Sequence, residues 1–138
     1  MSKKILVING NPKESSFCHE LAEQYVVSGQ RNHEVKVVSV SKLKFDLDLH
    51  SGYDKVQSLE PDLAEFQSLV KWAEHVVFIL PVWWGGMPAK LKGLIDRTFL
   101  SGFAFKYQDD TRQTSSRPKC RYYSHHGYPT TLLPLGSG

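Results

Sequence analysis

The chain is 138 residues long, 41% hydrophobic and 22% charged, enough for one domain with its own core and too short for two. No apolar run approaches the ~20 residues of a membrane-spanning helix, and the two cysteines, Cys18 and Cys120, lack the spacing of a disulfide framework or a zinc site. The formal charge of +3 belongs to the tail: residues 1–110 carry 13 Lys/Arg against 14 Asp/Glu, whereas Arg112, Arg117, Lys119 and Arg121 stand there with no acid, so no nucleic-acid partner is expected for the folded body.

Residues 3–9 open on Ile5-Leu6-Val7-Ile8, four apolar residues halted by Asn9-Gly10 without a small-residue cleavage site. This reads as a strand rather than a signal peptide, and a reducing, cytoplasmic location is expected. Residues 16–28 read as a helix, with Phe17, Leu21 and Tyr25 at fourfold spacing, Ser15 or Ser16 as cap and Gly29 as stop. Residues 33–40 alternate as a second strand. No structure is assigned to residues 41–60. Glu60-Pro61-Asp62 then opens a second helix with Leu63, Phe66, Leu69 and Val70 on one face.

Residues 75–80 contain Val76-Val77-Phe78-Ile79-Leu80, apolar on both faces, as in a central parallel strand covered by helices on either side. After a Gly/Pro turn, residues 90–100 form a third helix with Leu91, Leu94, Ile95 and Phe99 inward. Alternating strands and helices with right-handed crossovers give an α/β class. From about Tyr107 the periodicity ends, and residues 108–138 read as an irregular tail in which Cys120-Arg121-Tyr122-Tyr123-Ser124 is at best a poor strand.

Two segments could carry chemistry. Asn9 to Cys18 joins a strand to a helix amino end through a polar turn, where outward N–H groups and the helix dipole favour an anion by ~0.3–1 kcal/mol. The bland reading is an ordinary capped turn. The segment is neither a Walker loop nor a G-x-G-x-x-G fingerprint. Pro81-Val82-Trp83-Trp84-Gly85-Gly86-Met87-Pro88-Ala89 sits at the carboxyl end of the central strand, where open α/β sheets bind ligands. Two adjacent tryptophans cannot both be buried there, and Gly85 or Gly86 could offer N–H groups to a planar ligand. The competing reading is an apolar patch for a partner subunit. Cys18 with His19 as base is a poor nucleophile pair, because adjacent helical side chains diverge. The remaining histidines show no metal spacing, and no metal is expected.

Together these pieces, with Gly102-Phe103-Ala104-Phe105-Lys106-Tyr107, resemble the flavodoxin-like NAD(P)H dehydrogenases (quinone), also called the modulator-of-drug-activity family, over residues 3–107. The resemblance implies a doubly wound parallel sheet in three α/β/α layers and a non-covalent FMN or FAD. The flavin phosphate would lie on Asn11, Ser16, Phe17 and Cys18, and its ring against Pro81, Val82, Trp83, Trp84 and Gly85. It further implies ping-pong transfer of two electrons, as hydride through flavin N5, from NAD(P)H to a quinone or similar planar acceptor, and a homodimer with the site at its interface. No catalytic side chain is assigned. Cys18 departs from the family, which usually has Asn there; a backbone contact to phosphate survives that change and a side-chain contact does not.

The end departs further. The family continues with a fourth strand and flavin-contacting loop, then a fifth strand and helix, and the tail resembles none of them. Residues 1–107 are therefore expected to form an incomplete domain, truncated after the third strand and helix, with the edge of Val76–Leu80 open, cofactor affinity weakened and little activity. Ser116 to Pro129 read one base later, with a permitted choice of codons, spells Gln-Gly-Leu-Asn-Ala-Ala-Ile-Ile-His-Thr-Met-Asp-Thr, which resembles the missing strand and loop. The tail is accordingly expected to be that region in a shifted frame. The competing function is a non-enzymatic remnant that pairs with full-length subunits or binds planar ligands.

Overall fold

The computed structural model describes residues 1–104 and the backbone of residues 119–124. Strand β1 (Lys4–Asn9) lies between β2 (Glu34–Ser39) and β3 (His75–Leu80), with Ile8 opposite Val38 on one side and Phe78 on the other. All neighbours are parallel, and a fourth strand, β4 (Lys119–Ser124), completes the order β2-β1-β3-β4.

Alternation along β1 and β3 sorts the core into two halves. Ile5, Val7, Val77 and Ile79 pack with Cys18 and Ala22 of helix α1 (Phe17–Gly29) on one face. Leu6, Ile8, Val76, Phe78 and Leu80 pack on the other against Leu63, Phe66 and Val70 of α2 (Pro61–Trp72) and Leu91 and Leu94 of α3 (Ala89–Thr98). Phe99 extends this second half, its ring 6.4 Å from Phe66 and 6.2 Å from Phe103. The expected three-layer, flavodoxin-like α/β/α arrangement is therefore present. The chain turns one way from β1 to β2 and the other way from β2 to β3, so the topological switch falls between β1 and β3.

Three local expectations differ. The buried stripe of α1 is Cys18 and Ala22, with Tyr25 and Val26 packed beside them, whereas Phe17 and Leu21 are exposed. Small side chains let the helix lie close to the sheet, which shifts the inward face by one residue. Gly29 is not in a left-handed conformation. Its service is steric, since a Cβ there would stand 3.0 Å from Val35 Cγ2. The second strand ends at Ser39, and Val40–Lys42 forms a single 3-10 turn.

The long connection before α2 is organised around α3. The Arg97 side chain is 1% exposed and donates to the carbonyls of Asp46 (2.6 Å) and Ser58 (2.9 Å) as well as to Glu60. Leu47 rides over Gly93, where a Cβ would meet the Leu47 carbonyl oxygen at 3.0 Å. No regular hydrophobic period announced this segment: backbone carbonyls and one guanidinium tie it down, and Leu43, Phe45 and Leu59 pack against the core at irregular spacing.

The edge of β3 is not open. Val76 lies opposite Cys120 and Leu80 opposite Ser124, so a piece of the stretch read as irregular serves as the fourth strand. An unpaired parallel edge is a template for any chain able to extend beside it, and Tyr122-Tyr123 has the aromatic content that strands favour. Residues 105–118 and 125–138, with most of the shifted-frame expectation, lie outside the described residues.

Candidate functional site

At the carboxyl ends of β1 and β3, the switch point opens a cleft of about 240 Å³ lined by Asn11, Phe17, Cys18, Pro81, Val82 and Trp83. Two loops meet there because the two strands are neighbours. Gly10 makes the approach close: its N–H donates to the Ile79 carbonyl at 2.8 Å. A Cβ at Gly10 would fall 2.6 Å from Leu91 Cδ2 and 3.1 Å from Leu80 Cβ.

The first wall is built by side chains that replace backbone partners. Asn9 Oδ1 accepts the Asn11 N–H at 3.1 Å, and Asn11 Oδ1 accepts the Lys13 N–H at 3.0 Å. Such Asx contacts fix a turn without regular structure. Ser16, in extended conformation, caps α1 with its hydroxyl oxygen accepting the His19 N–H at 3.3 Å. The first turn of α1, Phe17 and Cys18, thus faces the cleft with the positive end of the helix behind it.

Cys18 is 3% exposed. Burial pushes its thiol up, and a hydrogen bond with the Asn11 side chain and one with its own backbone offset that only in part. A neutral thiol is the opposite of what a nucleophile needs. His19 pairs with Glu23 at 3.2 Å instead.

The second wall ends in a tight hairpin. Trp83 N–H donates to the Gly86 carbonyl at 2.9 Å and Gly86 N–H to the Trp83 carbonyl at 3.0 Å. Trp84 and Gly85 between them have φ of 52° and 76°. Positive φ at both central positions is the signature of a type I′ turn, which twists with its flanking chain. Glycine accepts this freely and tryptophan does not. Trp83 is 48% exposed and Trp84 fully so, as expected for two tryptophans that cannot share a small core. The turn corrects one expectation: the Gly86 N–H is spent inside the hairpin, leaving Gly85 as the glycine to offer an amide.

Of the nine site residues expected from sequence, six line the cleft, Ser16 caps the helix behind it, and Trp84 and Gly85 form the hairpin tip beyond it. Sequence reasoning placed Asn9 and Gly10 in the candidate turn but gave neither a role in the site, although a polar residue and a glycine ending an apolar strand were visible signals. It missed Arg97, three residues beyond Leu94 and so on the helical face that α3 buries. Among the described residues no group of three or more His, Cys, Asp or Glu could hold a metal. No described helix is long and apolar enough to cross a membrane.

A family model described as flavodoxin-like fold matches residues 3–121. The chain is 30% identical to a ribosyldihydronicotinamide dehydrogenase-like protein of Penicillium crustosum over 72% of this chain and 45% of that protein. It is 29% identical to NAD(P)H dehydrogenase [quinone] 1 of Cavia porcellus, over 76% of this chain and 46% of the relative. It superposes on the NAD(P)H:quinone oxidoreductase of Methanothermobacter marburgensis with a TM-score of 0.64 at 25% identity, covering 78% of this chain and 58% of the other. The chain spans about half the length of the curated relatives it matches. The match over residues 3–121, on a parallel sheet whose strand order switches between β1 and β3, shows that the chain belongs to the family of the flavodoxin-like fold.

Proposed function

We propose that this chain is the flavin-binding part of an NAD(P)H-dependent oxidoreductase that reduces quinones or similar planar acceptors. The observation that carries the reading is the cleft at the β1/β3 switch, where a capped helix amino end meets an exposed tryptophan turn. That pairing suits a molecule anionic at one end and planar and aromatic at the other. The names of the Cavia and Methanothermobacter relatives support the same chemistry.

The residues fit a flavin in kind. Asn11, Ser16, Phe17 and Cys18 would hold the phosphate through the turn and the first amides of α1, and Pro81, Val82, Trp83 and Gly85 would flank the ring. The cleft volume of about 240 Å³ is below the ~300–1,000 Å³ of a drug-sized pocket, so this chain covers part of the flavin. The remaining cover is proposed to come from a second copy across the tryptophan turn. When bound, the flavin would accept an electron pair from NAD(P)H and pass it to the acceptor, while the protein orients it and excludes water. A cytoplasmic location belongs to the same proposal.

The test is the visible spectrum of the purified chain after incubation with FMN or FAD and desalting. A retained band near ~450 nm that bleaches on anaerobic addition of NADH or NADPH is the expected result. A colourless protein, with a longer relative loading normally beside it, would overturn the reading.

A further inference from the structure

Asn9 is 1% exposed at the last position of β1. Its alternation with Ile5 and Val7 puts it on the face that α1 covers, and Cys18 of the first turn of α1 packs in that same half of the core. Its two side-chain atoms have different fates. Oδ1 accepts the Asn11 N–H at 3.1 Å, whereas Nδ2 is buried with no partner among the described residues. The amide cannot be turned round to cure this, because an N–H group would then confront the Asn11 N–H. A buried donor without an acceptor is costly, and a strand end offers cheaper residues, including the valines and isoleucines used elsewhere in β1.

We propose that Asn9 is a positioning residue for the anionic end of the ligand. It fixes Asn11 through Oδ1, and Asn11 in turn fixes Lys13 and contacts the Cys18 thiol, so one buried side chain sets the whole turn beneath the amino end of α1. The unpaired Nδ2–H adds its positive end to the amides of the first helical turn. Together they favour negative charge above them without touching it. The proposal rests on the flavin reading and deepens it, since it concerns the phosphate and not the ring.

The experiment compares FMN with riboflavin, which has the same ring and no phosphate, by fluorescence titration of the wild-type chain and of Asn9→Asp and Asn9→Ala. Asn9→Asp keeps the shape and the acceptor for the Asn11 N–H but exchanges the donor for negative charge. At about pH 8, where an ordinary carboxyl is ionised, the expected loss for FMN is roughly tenfold or more, with riboflavin changed by less than about twofold. Asn9→Ala should weaken FMN by roughly threefold to tenfold, again sparing riboflavin. Riboflavin binding also certifies that each variant is folded. Equal losses for both flavins would make Asn9 a merely structural residue, and unchanged FMN binding would remove any role; either overturns the proposal alone. A wild-type chain that binds neither flavin overturns the functional reading, and the proposal with it.

Discussion

The guanidinium of Arg97 and the carboxylate of Glu60 meet fork to fork across 37 residues, Nη2 to Oε2 at 2.8 Å and Nη1 to Oε1 at 3.2 Å. The pair is asymmetric, for the Arg97 side chain is 1% exposed and that of Glu60 31%. Glu60 also accepts the Asp46 N–H at 3.0 Å, while Arg97 donates to the carbonyls of Asp46 and Ser58. One ion pair therefore ties the start of α2, the preceding connection and the end of α3.

Replacing Arg97 removes four hydrogen bonds and leaves two carbonyls and a carboxylate short of a partner. Breaking a buried pair from one side costs ~3–5 kcal/mol; with Glu60 partly in water, Arg97→Met should cost about 2–4 kcal/mol. Urea unfolding should show a lower midpoint. A change below about 0.5 kcal/mol would mean the connection is held by something else.

Acid should loosen the same region. Burial pushes the Glu60 carboxyl up, but the Asp46 N–H and Arg97 outweigh it and hold the group below its ordinary value of 4.5. Asp46 is likewise held below 3.8, by the Asp48 N–H first and then by His50, against burial. A carboxylate depressed in the folded state contributes stability that is complete above its unfolded pKa and is lost as pH falls through its folded pKa. The melting temperature should therefore hold from neutral pH to the ordinary carboxylate range and decline below it. Glu60→Gln should start lower and decline less steeply, and parallel curves for the two proteins would refute this.

Gly10 closes the gap between β1 and α3. The nearest obstruction to a Cβ is the Leu91 side chain, itself fully buried, with Leu80 Cβ next at 3.1 Å. Gly10→Ala should cost about 1–3 kcal/mol through overpacking, and it should weaken flavin binding by displacing the turn that follows. An alanine variant with wild-type midpoint and affinity would show that Leu91 yields.

How much of this was legible beforehand follows from which forces write themselves into sequence. Continuous apolar strands and helical periodicity placed β1, β3, α2 and α3, because hydrophobic burial repeats with the geometry of the element. The Pro81–Gly86 turn was legible as a site because tryptophans and glycines have few other reasons to stand together after a central strand. The α1 face was misplaced by one residue because its buried positions are a cysteine and an alanine, which carry little hydrophobic signal beside Phe17 and Leu21. The partners that Arg97 finds in the connection before α2 were invisible for a different reason. Hydrogen bonds to backbone carbonyls have no period, and contacts across 37 residues leave no local trace.

Trp84 offers a test of the strain in the tryptophan turn. Holding a non-glycine residue in the left-handed region costs about 1–2 kcal/mol, and the indole recovers none of it by packing because it is fully exposed. Trp84→Asn would create the Asn-Gly pair that type I′ turns favour most. At concentrations low enough to keep copies of the chain apart, thermal unfolding should show stabilisation of about 0.5–1 kcal/mol. Destabilisation would mean that the indole makes contacts in solution, as it would if a second copy packed on it.

The fourth strand makes the last prediction. All of β3 after His75, Val76-Val77-Phe78-Ile79-Leu80, is uncharged, apolar and rich in residues that favour strands, and β4 pairs along the whole outer edge of the strand. Ending the chain after Tyr107 would remove β4 while sparing every cleft-lining residue. Six ladder positions would lose their partners, and the exposed edge would be a template for another chain. With a total margin of only ~5–15 kcal/mol for a domain, the shortened protein should unfold at lower urea and should elute as larger, concentration-dependent species in size exclusion with light scattering. Restoring a paired edge is the control, because a charge placed on β3 itself, as in Val77→Lys, would fall in the core and only unfold the protein. The informative comparison is therefore the shortened chain with and without a separately added peptide of residues 115–128. Recovery of the full chain's elution position on adding the peptide would show that strand pairing protects the edge. A shortened chain that elutes as the full chain does, with an unchanged midpoint, would show that β4 contributes nothing to the sheet.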